Sequence, residues 1–156
     1  MSMRIQGLTA LCLAGLASFS AAPASARPYQ QYLQGVCVNG VCHVRYPDVP
    51  AGKILQAEMA SCYMRLGYAT AAPVARVDGY SLAVYNANNS LLSAEIVPMR
   101  FMDGFPISAT DSQAVFAVNS PVLLTAKAGQ HMESVVEYAD GTPFQLSCHI
   151  SGTLTP

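Results

Sequence analysis

Two dipeptides, Cys42-His43 and Cys148-His149, each set a thiol beside an imidazole, the donor pair most often recruited by zinc. On a strand, however, neighbouring side chains point to opposite faces, so one ion cannot readily take both members of either pair. Disulfide chemistry fits the spacing better. In "GVCVNGVCHV", Gly35 to Val44, Cys37 and Cys42 flank Asn39-Gly40. Asn-Gly is the preferred pair for a two-residue type I′ hairpin turn, because both positions need positive φ. Val38 then faces Val41 and Cys37 faces Cys42. The second pair out from such a turn is not hydrogen-bonded and brings its Cα atoms to about 4.5 Å, within disulfide range. Cys12 lies in an apolar N-terminal segment expected to be removed, which leaves four cysteines and three possible connectivities. The hairpin selects Cys37–Cys42, and elimination leaves Cys62–Cys148, 86 residues apart. No metal site is expected.

Other reactive residue types are present without the spacing that catalysis requires. "GYSLA", Gly79 to Ala83, lacks the second glycine of a nucleophile elbow and reads as strand. Ser81, His131 and Asp111 offer the three residue types of a hydrolase triad, but nothing in their spacing brings them together. Phosphate-binding glycine loops, H-E-x-x-H and calcium-loop spacing are all missing, and no cofactor is expected. Glu133 and Glu137 are four residues apart, which puts them on one face of a strand, where a solvated surface is the expectation. Tyr63, Tyr68, Tyr80 and Tyr85 form the candidate ligand-binding set, a stacking platform for glycans, in a chain with 8 tyrosines and no tryptophan. Asn88-Asn89-Ser90 matches a glycosylation sequon.

The N-terminus reads as a secretory signal. Arg4 supplies the positive region, Leu8 to Phe19 the apolar run, and Ala24-Ser25-Ala26 an A-x-A cleavage site before Arg27. That apolar run is shorter than the roughly 20 residues that span a bilayer, and no later segment is apolar enough to do so. Cleavage after Ala26 leaves 130 of the 156 residues, with 7 basic against 9 acidic side chains. Charge this sparse and scattered provides no surface for nucleic acid. A protein or glycan partner is expected instead. An exported chain with an even number of cysteines points to an oxidising compartment, periplasmic or extracellular.

The elements that would position these residues are short β-rich runs separated by turn signals. Arg27 to Gln34 reads as a polar, partly disordered lead-in, and residues 36–156 as a single domain. Val36–Val38 and Val41–Tyr46 form the hairpin, ended by "YPDVPAG". Lys53 to Leu66 has helical propensities, with Gly67 placed as a C-cap, yet Leu55, Ala57 and Met59 alternate with Gln56 and Glu58. The alternation favours a strand. Asp78-Gly79 signals a second hairpin between Val74–Val77 and Tyr80–Tyr85. Leu91–Val97 and Met99–Met102 read as one edge or bulged strand interrupted by Pro98. A proline-containing connection from Asp103 to Asp111 leads to strands Gln113–Ser120 and Val122–Lys127, divided at Asn119-Ser120-Pro121. Strands His131–Tyr138 and Phe144–Ile150 follow, separated by Asp140-Gly141. "PAGK" at Pro50 and "KAGQ" at Lys127 imply similar turns into strands. Some eight or nine strands with little helix predict an all-β protein, an antiparallel β-sandwich of jelly-roll or immunoglobulin-like topology.

"CHVRYPDVPAGKILQAEMASC", Cys42 to Cys62, resembles the front end of small exported bacterial β-rich proteins of unknown function, in which a strand, a Pro-x-Val-Pro-Ala-Gly turn and a cysteine-ended strand follow one another. The resemblance implies export and a β-rich fold, and no activity. Together these features predict a non-enzymatic binding or surface-interaction module. A secreted carbohydrate-active enzyme and a structural component of a cell-envelope assembly are the alternatives.

Overall fold

The computed structural model describes residues 26–67, 76–97, 100–101, 113–139 and 141–156. They form ten strands and no helix: β1 (Arg27–Gln34), β2 (Val36–Val38), β3 (Val41–Arg45), β4 (Ile54–Gly67), β5 (Arg76–Tyr85), β6 (Leu91–Val97), β7 (Arg100–Phe101), β8 (Gln113–Lys127), β9 (His131–Ala139) and β10 (Thr142–Thr155). Two five-stranded sheets result, ordered β1-β10-β4-β8-β7 and β2-β3-β9-β5-β6. Every pairing is antiparallel. The expected β-sandwich is the observed fold, with its core between the two sheets.

The Asn-Gly hairpin forms as its chemistry dictates. Asn39 and Gly40 both take positive φ, and Cys37 pairs with Cys42 in the β2–β3 register. The uncertain segment Lys53 to Leu66 is strand β4, so alternation overrides helical propensity once two neighbours supply the ladder. The period does not run through it unbroken. Leu55 and Ala57 point inward, but so do Ala60, Cys62, Met64 and Leu66, while Met59 is only partly buried. Between Ala57 and Met59 the pairing with both β10 and β8 shifts register, and the inward phase moves by one residue. A β-bulge does this by adding one unpaired residue to a ladder.

Several boundaries differ from expectation. Arg27 to Gln34 is not a loose lead-in but a strand paired residue by residue with β10, with Tyr29 and Leu33 against the core. Asp78-Gly79 is no hairpin turn; it lies inside β5, where the register against β9 shifts between Val77 and Gly79. The φ of Gly79 is not positive, and Asp78 forms an ion pair with Arg76. Residues 74–75 of the first expected arm lie outside the described residues; among those described, β5 pairs with β6 and β9. Leu91–Val97 and Arg100–Phe101 are not one strand either, for β6 belongs to one sheet and β7 to the other. Asn119-Ser120-Pro121 does not divide the strand: β8 runs through it, and its pairing with β4 shifts register just beyond Pro121. Pro121 is tolerated there because, among the described residues, β7 reaches only Ala117 and Phe116, leaving that part of β8 an edge.

The two echoed loops meet. Gly52 and Gly129 both adopt positive φ, Val49 donates its N–H to the carbonyl of Gln130, and Gly129 donates to that of Val49. These bonds tie the crossover from β3 to β4 onto the β8–β9 turn.

Candidate functional site

Both disulfides form as expected, Cys37–Cys42 within one sheet and Cys62–Cys148 between β4 and β10 of the other. The Cα separations are 3.9 and 4.1 Å, and the cysteines of each pair are direct cross-strand partners. Cys42 and Cys148 point into the core while His43 and His149 point out, the alternation that separates thiol from imidazole. Among the described residues, no group of three or more His, Cys, Asp or Glu side chains is placed to hold a metal ion. Nor is any helix there long and apolar enough to cross a membrane.

The tyrosines do not share a surface. Tyr63 lies on the outer face of the β4 sheet and Tyr85 on the outer face of the β5 sheet. Tyr80 is buried in the core, and Tyr68 lies outside the described residues. The hydroxyl of Tyr80 meets Ser134 at 3.2 Å, and that of Tyr46 meets the same serine at 3.1 Å. Ser134 is itself buried, so this three-hydroxyl knot satisfies groups that would otherwise be stranded in the core. Burial raises the pKa of Tyr80 to about 12, against the lowering effect of the Ser134 bond and with the Glu95 charge raising it further. Tyr46 is raised by the same burial. Both phenols serve as structural groups at physiological pH. Of the triad residue types, Ser81 pairs with Val135 and His131 with Tyr85, and Asp111 lies outside the described residues.

A polar cluster that the spacing of the residues did not reveal covers the outer face of β3 and β9. The β3–β9 register sets Arg45 opposite Glu133, and the β5–β9 register sets Tyr85 opposite His131. Arg45 donates to Asp48 and to the Asn89 side-chain oxygen, each at 3.2 Å. His43 Nδ1 lies 3.3 Å from Glu133, whose side chain is largely buried. Glu137, on the same face, is exposed. The Asn89 position is set by Asn86, whose side-chain oxygen accepts from the N–H groups of Asn88 and Ser90.

His131 lies beneath this network, 1% exposed, its ring stacked on Tyr85 at 5.5 Å between centroids. Its Nδ1 makes no hydrogen bond and sits 3.6 Å from Asp48. Burial lowers its pKa first and Arg45 second, and Asp48 and Glu133 only partly offset them. A histidine held below its unfolded value of about 6.5 favours the fold while neutral, so its contribution is present above that pH and is lost progressively as pH falls below it and through the lower folded value. Denaturant melts at pH 7.5 and 5.5 (values spanning that titration) are expected to show a larger loss of stability on acidification for the wild type than for His131→Gln. Equal losses would mean that His131 is protonated as easily in the fold as outside it.

The third surface feature is the sheet edges. Ten large hydrophobic side chains are exposed among the described residues; six of them lie on strands that end a sheet and a seventh on β8 beyond the reach of β7. Tyr32, Val36 and Val38 lie on β1 and β2; Leu91, Leu92 and Ile96 lie on β6; Leu123 lies on the open part of β8. Ile96 is 81% exposed and Leu123 73%. Edge strands are ordinarily blunted by charge, since their unpaired N–H and C=O groups recruit other strands. Here β1, β2 and β6 carry one charged residue each at most, Arg27 on β1 and Glu95 on β6.

No protein-family model matches the chain, and no curated protein sequence matches it either.

Proposed function

We propose that this protein is an exported, non-enzymatic interaction module that binds protein partners through the edges of its β-sandwich. The observation that carries the reading is the concentration of exposed apolar side chains on β1, β2, β6 and β8. A soluble domain that only needed to fold would place charge there instead. Edge strands bind by adding a strand to a sheet, main-chain hydrogen bonds giving affinity and alternate side chains specificity. The outer face of β3 and β9, polar and internally paired, is a poor competitor for that role.

Export rests on the N-terminal signal features and on the two disulfides, which an oxidising environment maintains. Cleavage after Ala26 would make Arg27 the first residue, and β1 opens at Arg27. The fraction outside the cytoplasm should therefore contain a chain beginning at Arg27; a main cytoplasmic species beginning at Met1 would contradict export. The binding reading is tested by incubating the purified protein with isolated cell envelopes and measuring the bound fraction. Leu92→Lys or Val36→Lys is expected to lower binding, and Glu137→Lys on an outer face to leave it unchanged. The opposite pattern would move the interaction to the faces.

A further inference from the structure

The two disulfides differ in what can reach them. Cys62 and Cys148 are buried, on β4 and β10, and each of those strands is paired on both sides. Cys42 is fully buried as well, on β3 between β2 and β9. Cys37 is only partly buried, on β2, which ends its sheet. An attacking thiolate must approach a disulfide sulfur from the side away from the sulfur that leaves. The Cys37–Cys42 bridge runs from the covered strand β3 to the edge strand β2. Approach from beyond that edge meets the Cys37 sulfur with Cys42 as the leaving group. Approach to the Cys42 sulfur would have to come through the core.

The hairpin does not depend on the bridge for its register. Asn39 and Gly40 hold the positive φ that the turn requires. Tyr138 donates its N–H to the Gly40 carbonyl, and Gly35 donates its N–H to the Leu146 carbonyl, each at 2.9 Å. Strand β3 is itself paired with β9 from Val41 to Arg45. The hairpin is therefore pinned at Gly35 and at Gly40, and Cys37 stays opposite Cys42 when the S–S bond is open.

We infer that Cys37–Cys42 is a thiol-exchange site, at which a low-molecular-weight thiol adds to Cys37 and Cys42 is the resolving thiol that expels it. In the forward step the incoming thiolate bonds to Cys37 Sγ and the Cys37–Cys42 bond breaks. The electron pair of that bond leaves on Cys42 Sγ, which takes up a proton because a buried thiolate is costly. In the reverse step Cys42 Sγ gives up the proton, attacks Cys37 Sγ and releases the small thiol as thiolate. Neither step needs an oxidant, since one thiol and one disulfide enter and one of each leaves. The preserved register favours the reverse step, so the adduct on the intact protein is short-lived. Cys62–Cys148, enclosed in the other sheet, takes no part.

The test begins with the folded wild type, incubated with reduced glutathione at concentrations that leave its circular dichroism unchanged, then quenched in acid, alkylated and mapped by peptide. Label is expected on Cys37 and Cys42, with Cys62 and Cys148 still joined. Cys42→Ala treated with oxidised glutathione is expected to take one adduct, on Cys37, and to keep it, because the resolving thiol is gone. Cys37→Ala is expected to take none on Cys42 until denaturant is added. Two bridges that open together in the wild type, a Cys37–Cys42 bridge that opens only on unfolding, or an adduct that forms on Cys42 as readily as on Cys37 would each overturn the inference. Should either variant fail to fold, the order of opening in the wild type decides alone.

Discussion

Replacing Cys62 and Cys148 together by alanine is expected to lower stability far more than replacing Cys37 and Cys42. On the chain-entropy model, a bridge across 86 residues removes about 4–5 kcal/mol of unfolded-state freedom, and one across five residues about 2 kcal/mol. The smaller figure shrinks further, because Asn39-Gly40 already favours the turn that brings Cys37 to Cys42. Packing acts in the same direction. Cys62 and Cys148 are both buried at the centre of the five-stranded β10–β4–β8 sheet, whereas Cys37 lies partly exposed on the three-residue edge strand β2. A loss of about 2–5 kcal/mol is expected for the Cys62/Cys148 pair, read from denaturant melts of both double variants. If the Cys37/Cys42 variant were the less stable, the hairpin would be holding more than its own turn.

The second large effect is expected at Gly152. A Cβ added there would lie 2.0 Å from the carbonyl oxygen of Gln56 and 2.9 Å from the Ala57 Cα, both backbone atoms of β4. Gly152 lies at the register shift between β10 and β4, where the two chains approach closely. Gly152→Ala must therefore part β10 from β4 at the centre of the sheet, and a cost of about 3 kcal/mol is expected, at the upper end of overpacking effects. Gly67→Ala provides the contrast. The three atoms nearest its new Cβ all belong to the ring of Phe144, a side chain 64% exposed that can swing into solvent. Thermal melts should show a large shift for the first variant and a small one for the second. Similar shifts would mean that β10 relaxes away from β4 without cost.

Part of this architecture was legible in the sequence. The hairpin and both bridges could be read because a two-residue Asn-Gly turn leaves a single register, and that register pairs Cys37 with Cys42. Alternation in Leu55, Ala57, Gln56 and Glu58 was enough to identify β4 as strand. It misassigned Met59, since a bulge shifts the phase and depends on what β8 and β10 do opposite it. Asp78-Gly79 and Asn119-Ser120-Pro121 carry strong local turn signals, but each lies within a strand: a register shift absorbs the first, an open edge the second. The polar cluster could not be read from spacing. Arg45, Asp48, Asn89 and His131 come from three separate segments and meet only through the β3–β9–β5 register. The apolar edges were hidden for the same reason, because a strand's place in a sheet is set by topology, not by its own composition.

The central claim, that the sheet edges and not the outer faces make contact with partners, is tested most directly by site-specific photo-cross-linking in cells exporting the protein. A photoreactive residue would be placed in turn at Val38 and Ile96 on the edges, and at Tyr63 and Glu137 on the outer faces. Adducts are expected from Val38 and Ile96 and none from Tyr63 or Glu137. Adducts confined to Tyr63 or Glu137, with the edge positions silent, would contradict it.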